Sequence, residues 1–119
     1  MCIFFFVFYS PNRSLPNVRP DECAEEKYHL DSLGKASVVI IYTNEVWSAL
    51  IRTIWSVVNR SPRQLLKEII LVDDFSDKSE LNAPLDHYID SYFKELVTII
   101  RLDKRQGLIR ARLIGNVSS

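Results

Sequence analysis

The chain has 119 residues, 15 of them basic and 15 acidic, and 47% of its residues are hydrophobic. This length supports one core and excludes two ordinary domains. The balanced charge gives no overall basic field, so nucleic acid is not indicated as a partner. Cys2 and Cys23 are too few for a disulfide framework and lack the spacing of zinc ligands.

The first 35 residues fall into two segments of different composition. Residues 1–11 begin with a nine-residue apolar run, about half of the roughly 20 residues that a membrane-spanning helix needs. The run also lacks the basic start and cleavage site of a secretory signal, so we interpret it as a foreign or alternative start. Residues 12–35 contain Pro16 and Pro20 and show little periodicity, which predicts an extended segment lying over a domain surface.

A strand followed by a helix is predicted from residue 36 onwards. Residues 37–42 are a near-continuous apolar run, and Thr43, Asn44 and Glu45 then form a polar turn able to start a helix. Apolar residues next recur at three- and four-residue spacing, which predicts a helix packed on a sheet. These residues are Trp47, Leu50, Ile51, Ile54, Trp55 and Val58. We expect Pro62 to end the helix.

Residues 68–72 predict a second strand, buried on both faces, and Asp73 and Asp74 stand at its end. In an open α/β sheet, ligands bind just beyond the carboxyl ends of the strands. The acidic pair could therefore hydrogen-bond a ribose or base, or help to hold a cation. The alternative is that one acid caps the next helix. We favour the ligand role because a cap needs only one acid.

The rest of the chain predicts a second helix, a third strand and the start of a third helix. The second helix has Pro84 in its first turn and an apolar face made by Leu81, Leu85, Tyr88, Ile89 and Tyr92. Residues 96–100 predict the strand, and Gly107 precedes the third helix at residues 108–114. Helical connections return each strand parallel to the last, which predicts half of a Rossmann-like sheet.

Such a half-sheet commonly binds a nucleotide across its strand ends. No Gly-rich phosphate loop follows the first strand, so cations from side chains or a metal would have to neutralise a diphosphate. A basic cluster follows the third strand and consists of Arg101, Lys104, Arg105, Arg110 and Arg112. It could contact phosphate, with Gly107 allowing close approach, or it could be a solvated helix face. Spacing alone slightly favours the solvated face.

Three linked motifs identify a family resemblance. They are SVVIIYTNEVWSALIRTIWSVVNRSP, EIILVDDFSD and KRQGLIRAR, in this order. Together they closely resemble the catalytic domain of the polypeptide N-acetylgalactosaminyltransferases, and NRSLPNVRPDEC resembles the segment that leads into it. The resemblance implies an α/β fold, the Rossmann-like half of a GT-A nucleotide-diphospho-sugar transferase, with a mostly parallel three-stranded sheet and flanking helices. Residues 36–119 would then be an incomplete glycosyltransferase family 2-like domain, its donor-binding half.

The resemblance also implies a reaction and a set of site residues. The family transfers N-acetylgalactosamine from UDP-GalNAc to Ser or Thr of proteins, uses Mn²⁺, and is membrane-anchored in the Golgi lumen. By position, Ile41, Tyr42 and Thr43 would line the uridine site, and Asp74 would hydrogen-bond the uracil. Arg105 and Gly107 would lie along the nucleotide, with Glu45 and Asp73 as possible supporting residues.

Two departures from the family pattern modify this prediction. The family usually has an aromatic residue or His in place of Thr43 and Glu in place of Gln106, which predicts weaker nucleotide contacts. The sequence stops at Ser119, before the family's Asp-x-His metal motif and its acceptor half. We therefore expect no metal ligands in this chain, unknown catalytic residues that lie beyond Ser119, and no activity from the chain alone.

Two alternative functions follow from the same residues. The first is an inactive fragment or isoform that acts, if at all, as a nucleotide- or protein-binding module. The second is a phosphoacceptor receiver domain, which also has an acidic pair at a strand end. In a receiver domain the pair would follow the first strand, whereas Asp73 and Asp74 follow the second. The receiver prediction is therefore disfavoured.

Overall fold

The computed structural model describes residues 10–14 and 16–118, so the apolar run at residues 1–9 lies outside the described part. Strands and helices alternate from residue 36, as predicted. The elements are α1 (Asp21–Glu25), β1 (Ala36–Tyr42), α2 (Trp47–Arg60), β2 (Leu66–Asp73), α3 (Ala83–Tyr92), β3 (Val97–Arg101) and α4 (Leu108–Val117). Two 3₁₀ turns, Leu30–Ser32 and Ser79–Leu81, precede β1 and α3.

The three strands form one sheet in the order β1-β2-β3, and both pairs are parallel. In the register, Tyr42 lies opposite Asp73, and Asp73 lies opposite Arg101. The central strand β2 is buried along most of its length, because its branched apolar residues are covered on both faces. The carboxyl ends of all three strands therefore meet at one edge of the sheet, which we call the carboxyl edge.

Helices cover both faces of the sheet. On one face, α2 and α3 pack against the sheet through a core that includes Ile54, Ile69, Leu71 and Leu85. On the other face, α4 packs its Ala111 against Ile70 and Val72. Gly115 also lies against this face, and a Cβ atom there would clash with Val39. The small residues of α4 thus allow a close approach of the helix to the sheet.

Residues 12–35, which we call the lead-in segment, differ from the prediction at two places. The residues before β1 include the short helix α1 and the 3₁₀ turn Leu30–Ser32, although we predicted an extended segment throughout. Pro20 precedes α1 and does not interrupt it, and Asp21 and Glu22 in the first turn complement the helix dipole. Within residues 10–14 and 16–118, no helix has the length and apolar character that a membrane span requires.

Candidate functional site

The candidate site lies at the carboxyl edge, where a loop follows each strand. The backbone ladder continues past the strand ends, because Asp74 N donates to Tyr42 O at 2.9 Å. On the other side, Leu102 N donates to Asp73 O at 3.0 Å. These bonds hold the starts of the loops after β1, β2 and β3 side by side.

Asp74 connects the first of these loops to the last. Its side chain is buried, with 4% exposure, and its carboxylate accepts hydrogen bonds from Gln106 N at 2.6 Å and Gly107 N at 3.0 Å. On the opposite side, Thr43 Oγ1 donates to Asp74 O over a longer distance of 3.5 Å. Asp74 therefore brings together three residues that we predicted to be near the nucleotide, namely itself, Thr43 and Gly107.

The backbone of Gly107 explains how the last loop turns into α4. Its φ of 80° and ψ of 166° lie in a region that essentially only glycine adopts. Space is not the constraint, since a Cβ atom at Gly107 would meet nothing within 4 Å. This conformation, together with the two bonds to Asp74, sets the course of residues 102–107. Arg105 stands exposed in this loop.

Asp73 serves the other face of the sheet. Its Oδ1 accepts a hydrogen bond from Ser76 N at 2.9 Å, and its Oδ2 lies 3.9 Å from Arg101 Nε. Because side chains alternate along a strand, Asp73 faces the α3 side while Asp74 faces the loop before α4. The two carboxylates therefore do not form a joint cation site, which corrects one of the predicted roles. Neither acid caps α3, whose N-cap is Asn82.

The predicted basic cluster is divided in the structure. Arg101 is engaged by the chain itself, since its Nη2 donates to Asp86 Oδ1 at 2.9 Å and to Leu81 O at 3.1 Å, while 36% of its side chain stays exposed. It therefore ties β3 to the start of α3. The other four side chains, Lys104, Arg105, Arg110 and Arg112, belong to exposed residues. Of these, Arg110 Nη1 lies 3.5 Å from Gln106 Oε1.

Tyr42 carries a buried hydroxyl at the end of β1. The hydroxyl has no hydrogen-bond partner of standard geometry in the described part of the chain, although the Asp73 carboxylate is near enough to influence it. Burial, and secondly the charge of Asp73, raise the pKa of Tyr42 well above its ordinary value. Tyr42 is thus held in the neutral form. The Ser48 hydroxyl, in the first turn of α2, is likewise buried without a partner there.

The loops after β1 and β2 are joined by hydrogen bonds that we did not predict from the sequence. Asn44 N donates to Ser76 Oγ at 2.9 Å, and Asn44 Oδ1 accepts from Asp77 N at 2.9 Å. Asn44 has a positive φ of 48°, which asparagine tolerates better than most residues. The side chain of Asn44 thus fixes the neighbouring loop and does not cap α2, whose N-cap is Val46.

A cavity of about 190 Å³ lies between β1 and α2. Three residues of the predicted uridine site or its surroundings line it, namely Ile41, Tyr42 and Glu45. Glu45 is exposed, and its Oε1 accepts a hydrogen bond from Val46 N at 2.8 Å. The volume is below the range of about 300–1,000 Å³ usual for whole small-molecule sites. The cavity can therefore hold part of a ligand, such as a base.

No group of three or more His, Cys, Asp or Glu residues in the described ranges, 10–14 and 16–118, is arranged to hold a metal ion. Asp73 and Asp74 do not supply a pair for one ion because they face opposite sides of the sheet. The carboxyl edge of this chain is a loop-based polar site in which two buried carboxylates, Asp73 and Asp74, each bond a different loop.

Comparison with known proteins identifies the family. The model of the glycosyl transferase family 2 domain matches residues 37–116, which include all three strands except the first residue of β1. The chain belongs to glycosyltransferase family 2. This family 2 chain is 50% identical over 108 residues to polypeptide N-acetylgalactosaminyltransferase 13 of Homo sapiens, covering 91% of the chain and 19% of that protein.

Further relatives are also similar over most of this chain and over a small part of their own length. The family 2 chain is 49% identical to N-acetylgalactosaminyltransferase 4 of Drosophila melanogaster, over 89% of the chain and 16% of that protein. It superposes on the crystal structure of GalNAc-T7 with UDP, GalNAc and Mn²⁺ with a TM-score of 0.89 and 43% identity. This match covers 95% of the chain and 21% of GalNAc-T7.

These comparisons confirm the predicted family resemblance and the predicted fold. The three-stranded parallel sheet with flanking helices matches the GT-A fold of GalNAc-T7. The chain spans about a fifth of the length of the relatives it matches.

Proposed function

We propose that this chain forms the uridine-nucleotide-binding part of a polypeptide N-acetylgalactosaminyltransferase. The proposed reaction transfers N-acetylgalactosamine from UDP-GalNAc to Ser or Thr of proteins. One observation carries the proposal: buried Asp74 ties the loop at Gly107 to the end of β1, so that the predicted nucleotide residues share one edge. The names of the relatives, and the UDP and GalNAc bound to GalNAc-T7, support the same substrate class.

The uridine would lie against the end of β1. Ile41 and Tyr42 line the cavity beside α2, and Thr43 follows them at the exposed edge. A carboxylate can accept about four hydrogen bonds. That of Asp74 accepts two, both from amides of the loop after β3. A donor N–H of uracil would have to reach one of the remaining acceptor positions of this buried carboxylate. We propose that Asp74 both positions the loop and accepts from the base.

The diphosphate would lie along the loop after β3. Arg105 is exposed in this loop, and a guanidinium is well suited to paired contacts with phosphate oxygens. Gly107 has no side chain to hinder the approach of a ligand to the backbone. We assign Arg105 to charge neutralisation and Gly107 to backbone contact.

Manganese is the cofactor that the family resemblance implies, and GalNAc-T7 was crystallised with Mn²⁺. A divalent cation there would offset the charge of the departing diphosphate. Asp73 and Asp74 do not fit as its ligand pair, because each carboxylate is bonded to a different loop on a different face. We therefore assign no step of the reaction to residues of this chain through the metal.

A second function is a nucleotide- or protein-binding module without transferase activity. The observation that favours it is the commitment of both buried carboxylates to loop amides and Arg101. Under this alternative, Asp74 would still shape a nucleotide site, but the chain would not catalyse transfer. Residence in the Golgi lumen is a further part of the transferase proposal, and it rests on the family resemblance of the sequence.

Calorimetric titration with UDP tests the binding proposal. We expect UDP to bind the parent chain, and Arg105→Gln to bind it about three- to tenfold more weakly, because one charge-assisted contact is lost. Lys94→Gln is the matched control, since it removes an exposed cation just before β3, at the opposite edge of the sheet. Absence of UDP binding, or an equal loss in both variants, would contradict the proposal.

A transfer assay then separates the two functions. The chain is incubated with UDP-GalNAc, Mn²⁺ and a Ser/Thr-containing peptide, and the peptide mass is measured. A mass increase of one N-acetylhexosamine supports the transferase function of the chain itself. UDP binding without any mass increase supports the binding module.

A further inference from the structure

A groove lies between the lead-in segment and the outer side of α2, and it contains a concentration of arginine. Two adjoining cavities form it, of about 330 and 570 Å³, and they share Arg13 and Ser56 as lining residues. We call this the basic groove and define it by the four arginines that line it: Arg13, Arg19, Arg52 and Arg60.

The charge of the basic groove is local. The chain as a whole has 15 basic and 15 acidic residues. In contrast, none of the described residues that line the two cavities carries a carboxylate. The rest of the lining is mainly small polar side chains, such as Asn12, Asn59 and Ser56. Like charges brought together in a concave surface raise the local concentration of anions.

Hydrogen bonds made by side chains join the two sides of the groove and orient two of its arginines. Asn59 Nδ2 donates to Asn12 Oδ1 at 2.7 Å, which joins the lead-in segment to the last turn of α2. Arg19 Nε donates to Asn17 Oδ1 at 2.9 Å, so one guanidinium nitrogen orients the side chain. Arg52 Nε is similarly bonded to Ser48 O at 3.0 Å.

The larger cavity of the basic groove lies away from the candidate nucleotide site, whereas the smaller one shares Ala49 and Thr53 with the cavity beside β1. In a β-α-β unit with parallel strands, the connecting helix runs from the carboxyl edge of the sheet to the opposite edge. Asn59 and Arg60 are the last two residues of α2, so the larger cavity lies toward that opposite edge. The proposed nucleotide residues follow the strands at the carboxyl edge, where Asp74 holds them.

We propose that the basic groove binds an acidic stretch of polypeptide. The residues lining the larger cavity are exposed, so a small anion there would stay hydrated, and a single exposed ion pair contributes little. An extended chain with several carboxylates forms several pairs at once, and the Asn and Ser side chains can bond its backbone.

Fluorescence anisotropy on the full 119-residue chain tests the proposal. The probe is a labelled peptide of six alternating Glu-Gly pairs, and its counterpart with Gln in place of Glu is the uncharged control. We expect only the Glu peptide to bind. Its affinity should fall as the salt concentration rises, because salt screens the attraction between exposed charges. The double variant Arg19→Gln, Arg60→Gln should bind at least about fivefold more weakly, because two ion pairs are lost.

Controls separate the groove from general charge effects. The matched double variant Lys94→Gln, Arg112→Gln removes the same charge from exposed residues outside the groove, and we expect its affinity to stay within about twofold of the parent. Circular dichroism checks that each variant is folded, and Arg19→Gln alone avoids any change in α2.

Three results would overturn the proposal. The first is no binding of the Glu peptide, and the second is an equal loss in the two double variants. The third is binding to phosphatidylserine vesicles that displaces the Glu peptide and is weakened by Arg19→Gln, Arg60→Gln. That result would make the groove a membrane contact.

Discussion

Asp73 and Asp74 are adjacent in the sequence, but their carboxylates lie on opposite faces of the sheet and bond different loops. Asp74 accepts from Gln106 N and Gly107 N before α4, whereas Asp73 accepts from Ser76 N and pairs with Arg101 beside α3. Both residues are buried, with 2% exposure for Asp73 and 4% for Asp74. The acidic end of β2 is therefore the point at which the loops of the candidate site are organised.

Replacing Asp74 by Asn tests the anchoring of the loop after β3. The amide NH₂ group of Asn would face a backbone N–H, so one of the two loop donors would lose its acceptor. We expect a loss of about 1–3 kcal/mol in the free energy of unfolding, measured by urea denaturation. Amide hydrogen exchange at Gln106 and Gly107 should also become faster. Asp77→Asn, at an exposed position, is the control, and equal stability of the two variants would contradict the anchoring role.

Tyr42→Phe tests the environment of the buried hydroxyl. Because the hydroxyl is buried without a partner among the described residues, we expect the Phe variant to be at least as stable as the parent at pH 7. Folding raises the pKa of Tyr42, whereas in the unfolded chain it ionises near about pH 10. As far as Tyr42 is concerned, the folded chain therefore keeps its full stability below about pH 10. Above that pH it loses stability, because Tyr42 ionises in the unfolded chain before it does in the folded one.

The variant should lack this contribution to the pH dependence. We expect the difference in unfolding free energy between parent and Tyr42→Phe to be constant below about pH 9 and to shift in favour of the variant above about pH 10. Tyr28→Phe, at an exposed position, controls for loss of a hydroxyl. A constant difference across the whole pH range would show that Tyr42 ionises equally in the folded and unfolded chain.

Gly107→Ala tests whether the backbone conformation before α4 requires glycine. Its φ and ψ lie in a region that costs other residues on the order of 1–3 kcal/mol, although a Cβ atom would meet no neighbour. We expect a loss of that size in the free energy of unfolding. Gly34→Ala is the matched control, since a Cβ atom there also meets nothing within 4 Å and Gly34 has no positive φ. Equal effects of the two substitutions would contradict the conformational explanation.

Gly115→Ala tests the close approach of α4 to the sheet. The new methyl group would clash with Val39, so we expect a loss of about 1–3 kcal/mol from overpacking. Val39→Ala removes the clashing atoms and should recover part of this loss in a double-mutant cycle. Additive effects of the two substitutions would show that α4 does not contact β1 at this point.

The order of strands and helices could be predicted because it depends on local periodicity. The apolar runs before Thr43 and Asp73 and the spaced apolar face of α2 each carry their own signal. The opposite directions of Asp73 and Asp74 also follow from the alternation of a strand, but our prediction treated them as a pair. We missed the short helix α1, whose single turn is too short to show periodicity.

The connections within the candidate site could not be predicted from local sequence. Asn44 bonds Ser76 and Asp77, and Asp74 bonds Gln106 and Gly107, over separations of about 32 residues. Such pairs form only when the strands are already in register, so no pattern within one segment reveals them. The pairing of Arg101 with Asp86 likewise depends on the position of α3.

Titration of the ¹⁵N-labelled chain with UDP, followed by amide chemical shifts, shows which edge of the sheet binds the nucleotide. We expect the perturbed amides to lie at the carboxyl edge, in residues 41–45 at the end of β1 and just after it, at Asp74, and in residues 105–107. Asp74→Ala should abolish these changes while the helix content measured by circular dichroism stays the same. Perturbations confined to the other edge of the sheet, or none at saturating UDP, would contradict the assignment of this edge as the nucleotide site.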